Sequence, residues 1–536
     1  MENKERNKIQ KECLLQAIDD MGGRSSKLLW VIFIVNFFTL QLYGNNSMSY
    51  VFISEVPEFH CSIPELKNAN WTTNQINEIA IVDPCTQYKL NYTHLANLGY
   101  DNALEFIKES EFLPSVVSCT SFTFNESVHS TIVDEWELVC EKKLYRANTF
   151  LAYSLGVMVG SGILGTIADK YGRKNSLIIS IVLQVIASPA SALVPWFWMF
   201  IICKFFIGMS TGAMYSSSFT ILSEVATGNI RKACAGVLDA SFSIGTFFVI
   251  GMAYYLQTWR QLQLAISCSM IPIILLIWFL PESPRWLISQ NRFDEAQKII
   301  EKYHKSFVMT PNNSLEDSKT DDKFSLSKLP NIKQENDGFF HRNVESLRTL
   351  LMQSDLRKKI LIMYFSYYVT AATSYALIFS IDNFKSDRYV YVAILAFNDI
   401  IAHLSILAIL IYLSGQKALI MTHSTASLLM ITILAIPEDN KNIIMGLALA
   451  AKFCAATSFT ANLVLLSELF PTNVKNTALG TCVVMGQVGS MTSPYIVDVL
   501  GSIAWWAPTT LCSTLSLMAG LLCLTIPRTR INDESR

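Results

Sequence analysis

Long apolar runs recur along the chain, each near the roughly 20 residues an α-helix needs to cross a hydrocarbon core. They fall at 28–48, 147–167, 176–196, 198–222, 233–255, 261–280, 359–381, 389–412, 416–436, 442–466, 477–499 and 504–526. The pattern predicts twelve membrane-spanning helices. They group as six, a polar gap over 282–357, and six more. Within the gap, Thr310 to Asp337 is rich in Ser, Asp, Lys and Asn, holds Pro311 and Pro330, and reads as a flexible linker. Arg292 to Lys305 has apolar residues at helical spacing and predicts a surface helix. The expected order is a cytosolic tail 1–27, a six-helix bundle 28–281 with a polar loop 51–146, a cytosolic linker 282–357, a second six-helix bundle 358–527 and a cytosolic tail 528–536. Two six-span halves outline a transporter of all-α class built from repeated bundles.

Composition supports the bilayer. Hydrophobic residues make up 51% and charged residues 16%, against roughly 25% charged in soluble domains. A net charge of −1 gives no basic surface for nucleic acid. Residues 1–27 lack the pattern of a cleaved signal peptide, because the apolar run that follows is long and has no small-residue cleavage site. Basic residues set the orientation. They cluster in the N-terminal tail (Lys4, Arg6, Lys8, Lys11, Arg24, Lys27), after span two (Lys170, Arg173, Lys174) and in the C-terminal tail, which places both termini in the cytosol.

The loop 51–146 then faces outward. It carries Cys61, Cys85, Cys119 and Cys140, an even number that suggests two disulfides whose pairing the spacing leaves open. It also carries the glycosylation sequons at Asn70, Asn91 and Asn125. Seven further cysteines in or beside apolar runs read as small apolar filler. No Cys/His spacing suits a metal and no phosphate-binding glycine loop is present, so neither metal, cofactor nor ATPase chemistry is expected.

Between spans two and three stands Gly165-Thr-Ile-Ala-Asp169-Lys-Tyr-Gly172-Arg173-Lys174. Its glycines permit close helix approach and a tight turn, and its charges can make ionic contacts where two bundles meet. The run resembles the loop signature of the major facilitator superfamily, where it acts as a breakable latch. Further motifs resemble one branch, the organic cation, anion and carnitine transporters. These are Lys204 with Gly208 and Glu224, Glu224 with Arg231, Pro281-Glu282-Ser-Pro-Arg285-Trp286-Leu287, and Ser467-Glu468-Leu-Phe-Pro471-Thr-Asn-Val-Lys475. The large cysteine-bearing loop ending Asp134-Glu-Trp136-Glu-Leu-Val-Cys140 is particular to that branch. One departure is the loop after span eight, Leu413-Ser-Gly415-Gln416-Lys417, which lacks the acid of the repeated signature.

Ionisable residues inside spans cost roughly 2.5–3.5 kcal/mol at mid-membrane and mark functional positions. Asp399 and His403 share a face of span eight, and Lys452 and Phe459 share one of span ten. Asp239, near the predicted cytosolic end of span five, reads equally as a cavity residue or as a structurally paired or snorkelled one. Ring pairs Tyr215 and Phe219 in span four, and Tyr367 and Tyr375 in span seven, offer faces to organic ions. The resemblance implies cavity roles for these rings and for Asp399, His403 and Lys452. It also points to Gln487, which falls where cation carriers have Asp and anion or carnitine carriers have Arg. The expected function is transport of small organic ions across the plasma membrane by alternating access, with organic anions or zwitterions favoured over simple cations; the alternatives are an organic cation or carnitine-type transporter and, from another class, a transport-inactive membrane receptor or scaffold.

Overall fold

The computed structural model describes residues 14–18, 26–109, 115–124, 130–226, 228–303, 347–381, 387–437, 440–470 and 472–526, apart from the side chains of 228–233, 235, 236, 407, 411, 472, 473 and 476. The linker stretch Thr310 to Asp337, the tail 528–536, the sequon Asn125 and the Arg231 side chain lie outside the described residues.

The first bundle consists of α1 (Lys27–Ile53), α2 (Lys143–Tyr171), α3 (Arg173–Leu193), α4 (Phe197–Val225), α5 (Gly228–Tyr255) and α6 (Trp259–Leu276). The second consists of α7 (Ser354–Phe379), α8 (Arg388–Tyr412), α9 (Gly415–Leu434), α10 (Lys441–Leu469), α11 (Thr472–Tyr495) and α12 (Ala507–Leu524). Among the described residues eleven of these are long and apolar enough to cross a membrane; α11 is the twelfth. Its many Gly, Ser and Thr residues lower its hydropathy, and they also let it pack closely on α7. A Cβ at Gly489 would stand 2.3 Å from the Tyr368 carbonyl oxygen. Pro494 removes a backbone donor near the end of α11, which continues as a wide π-turn over Ile496–Leu500.

Local chemistry starts several helices. Ser26 Oγ accepts from Leu29 N at 3.3 Å, Thr258 Oγ1 from Gln261 N at 3.2 Å, and an Asp387 carboxylate oxygen from Val390 N at 3.1 Å. The α2–α4 crossing is set by glycine, since a Cβ at Gly208 would lie 2.0 Å from the Tyr153 carbonyl oxygen. Between bundles, α2 packs on α11 and α5 on α8. After α6, the expected surface helix is present at Phe293–Tyr303, with Ala296 and Ile300 buried.

The loop between α1 and α2 is not purely helical. It adds β1 (Phe59–Cys61), β2 (Ile81–Asp83), β3 (Thr86–Tyr88), β4 (Val116–Ser118) and β5 (Phe122–Phe124). β1 pairs antiparallel with β5, and β2, β3 and β4 form a second antiparallel sheet. At the β2–β3 turn, Asp83 accepts from Thr86 Oγ1 and Cys85 N, both at 2.7 Å, which holds its carboxyl below the usual range. The open disulfide question resolves as Cys61–Cys119 and Cys85–Cys140, with Cα atoms 5.6 and 5.7 Å apart. The loop is anchored to the first bundle by Trp136, whose ring lies 5.3 Å from those of Phe200 and Trp259. Glu135 accepts from Trp259 Nε1 at 2.7 Å and pairs with Arg260.

Candidate functional site

The two bundles meet where α2 packs on α11, α5 on α8 and α1 against α7, and most of the expected site lies on or beside these helices. From the first bundle come rings: Tyr43 of α1 stacks on Tyr215 of α4 at 5.9 Å, and Tyr215 on Phe219 at 6.0 Å. Tyr153 of α2 is buried within electrostatic reach of both Tyr43 and Tyr375. From the second bundle, Tyr375 of α7 meets Phe150 of α2 at 5.4 Å and shares a 3.4 Å hydrogen bond with Ser47 of α1. Tyr367, two turns away on α7, faces Tyr215, and its buried hydroxyl has no hydrogen-bond partner among the described residues. Gln487 of α11 makes a polar contact with the Tyr43 hydroxyl.

Two charge centres border these rings. Lys452 Nζ of α10 donates to Asp399 Oδ1 of α8 at 2.7 Å; their side chains are 5% and 15% exposed. Asp399 lies within electrostatic reach of Tyr375. One turn further on α8, His403 faces Asp239 of α5 across the bundle interface, and its Nδ1 is buried without a partner. Phe459 is half-buried on α10 but makes no ring contact with this cluster among the described residues. Tyr43, Phe150 and Tyr153 escaped sequence reading because single rings in apolar spans look like packing. The polar run Gln41, Asn45 and Asn46 on α1 was the available signal.

At the end away from the cysteine-rich loop, Gly172 makes the α2–α3 turn at φ 109°, and a Cβ there would meet Glu282 Oε2 at 2.4 Å. Glu282 instead caps α3, accepting from Arg173 N at 3.0 Å and Lys174 N at 3.1 Å. Arg173 Nη2 pairs with Asp169 at 3.0 Å and Glu224 at 2.9 Å, and Trp286 Nε1 donates to the Asp169 carbonyl at 2.9 Å. Gly165 faces Ser216 of α4, with 3.8 Å between a Cβ there and Ser216 Oγ. Arg285 is half-buried beside Trp286. In this conformation the described partners of Asp169 and Arg173 belong to their own bundle, and the Gly172 turn folds Arg173 back to donate to the Ala168 carbonyl at 3.2 Å. Glu224 pairs with Arg173, and its expected partner Arg231 has no described side chain. In the second bundle Glu468 is exposed beside Gly415, and Lys475 is half-buried. Gln416, in the departing loop, donates to the Cys523 and Ile526 carbonyls at 2.9 Å and so closes the end of α12.

Ion pairs that join described residues of the two bundles sit at the loop end. Arg146 of α2 pairs with Asp498 after α11, and Arg388 of α8 pairs with Glu55 after α1 at 3.1 Å. Rings close the same end: Phe52 stacks on Tyr389 at 5.6 Å, and Tyr50 meets Phe379 at 4.9 Å. These charges flank apolar runs, where a sequence shows only topology signals.

The family model for "Sugar (and other) transporter" matches residues 96–533. The chain belongs to this family. Among its relatives are an organic cation transporter protein of Drosophila melanogaster, 28% identical over 90% of this chain and 86% of that one. The organic cation/carnitine transporter 2 of Homo sapiens is 27% identical over 90% of this chain and 86% of its own length. Organic anion transporter 3 of Oryctolagus cuniculus is 26% identical over 91% and 86%. The likeness drawn from the motifs, to organic cation, anion and carnitine transporters, is thus borne out. Among solved structures, the partially occluded inward-open xylose transporter XylE from E. coli superposes with a TM-score of 0.60 at 13% identity, covering 94% of this chain and 99% of that one. This transporter family member therefore has the twelve-helix major facilitator fold, is a multi-pass membrane protein and is not an enzyme.

Proposed function

We propose that this transporter carries small organic ions across the plasma membrane by alternating access, with the cysteine-rich loop outside and both termini in the cytosol. Zwitterions are its preferred class. The observation that carries this reading is the shielded Lys452–Asp399 pair, 2.7 Å across, bordering rings drawn from both bundles. A simple anion must take Lys452 from Asp399 and leave the carboxylate uncompensated in a poorly solvated site, which is costly. A zwitterion can meet Lys452 with its anionic end and balance the acids beside the rings with its cationic end. The rings of Tyr43, Tyr215, Phe219 and Tyr375 supply stacking area and cation-attracting faces.

The orientation rests on the basic residues of the tails and of the segment after span two, with the exposed sequons Asn70 and Asn91 and the two disulfides on the other side. Asp169, Arg173, Glu224, Glu282, Arg285, Glu468 and Lys475 act as gating residues that exchange partners as the bundles rock. Uptake into cells, with surface amount measured by biotinylation, tests the reading. Saturable uptake of a carnitine-type zwitterion should exceed that of p-aminohippurate and tetraethylammonium. Preference for either single-charge probe contradicts the proposed class.

A further inference from the structure

Lys452 and Asp399 pair with each other, which leaves Asp239 an acid with no paired cation among the described residues. Its carboxylate is half-buried on α5 and makes no hydrogen bond or ion pair with a described residue. The charged and titratable groups around it come from four helices. Tyr215 approaches from α4, and His403 faces it from α8. Asp399 lies one turn before His403 and is held by Lys452 of α10. On α9, which also packs against α8, His423 is turned away to Ser366 of α7 at 3.1 Å. His403 Nδ1 is buried and unpartnered. The interface thus holds an acid without a cation and an imidazole nitrogen without a hydrogen bond, bordered by the stacked rings of Tyr43 and Tyr215. An ammonium group between α5 and α8 would satisfy the carboxylate electrostatically and lie against ring faces.

We propose that Asp239 and His403 form a cation subsite that takes the ammonium group of the substrate between the two bundles. The proposal rests on the transport reading above and names the end of the substrate that this part of the site holds. Asp239 belongs to the first bundle and His403 to the second, so a bound ammonium couples the two halves where they pivot.

The test is tetraethylammonium binding to the purified full chain, read as thermal stabilisation, beside uptake of the same probe into proteoliposomes. Asp239→Asn should weaken binding about tenfold, and Asp239→Glu should retain it. His403→Lys should abolish binding, which tests the site even where Asp239→Asn fails to fold. Absent stabilisation of the unmodified protein, or unchanged affinity in Asp239→Asn or His403→Lys, overturns the subsite. Binding that depends on Asp239 without uptake of any probe overturns the transport reading and leaves the subsite standing. Uptake that ignores Asp239 does the reverse.

Discussion

At 2.7 Å and largely shielded from solvent, Lys452 and Asp399 contribute little as a pair to stability, yet removing one leaves the other charged and unmatched, at a cost of about 3–5 kcal/mol. Lys452→Met alone should therefore lower the melting temperature of the detergent-extracted protein, and the double change with Asp399→Asn should recover most of that loss. Uptake should fail in both, which separates folding from transport. These two residues were legible in the sequence because charge inside an apolar run stands out. Asp239 was visible but ambiguous. The apolar run of span five begins at 233, whereas α5 begins at Gly228, so the helix carries Asp239 further from its end than the hydropathy implied. Gly172 shows the opposite case. Its place in the motif implied a tight turn, and its φ of 109° with Glu282 directly behind it gives the physical reason. Gly172→Ala should cost about 1–3 kcal/mol of stability, read as a lower melting temperature, through strain at a backbone conformation that suits only glycine.

Among the elements, α11 is the instructive one. Its apolar run predicted a span, yet its small and polar residues leave it short of the hydropathy of the other eleven, and two of them, Gly486 and Gly489, lie against α7. Gly489→Leu should block the α7–α11 approach and reduce the amount of folded protein far more than a leucine at Gly480, where a Cβ meets nothing within 4 Å; fluorescence-detected size exclusion would read the difference. The loop elements were illegible for a different reason: its short strands are fixed by cross-links and by the Trp136 anchor, not by periodicity. Digestion under non-reducing conditions should link peptides containing Cys61 to Cys119 and Cys85 to Cys140. Any other pairing would contradict this arrangement of β1 to β5.

The whole molecule is clamped between bundles at the loop end by Arg146–Asp498 and Arg388–Glu55, while the Arg173 network at the other end is internal to one bundle. Asp498→Asn should loosen the clamp and raise the labelling rate of a cysteine placed at Ser47, probed from the loop side; exchanging the charges at positions 146 and 498 should restore protection. Span count and the branch motifs were legible in the sequence. The clamp at the loop end was not, because it depends on pairs far apart in sequence. The central claim is that organic ions cross through the interface bordered by Lys452, Asp399 and the ring cluster. Its most direct test is uptake of a carnitine-type zwitterion into proteoliposomes holding the purified chain, compared with the Lys452→Met, Asp399→Asn double variant reconstituted at equal amount. The account predicts saturable uptake by the unmodified chain and none above empty liposomes for the variant. Equal saturable uptake by both would contradict it.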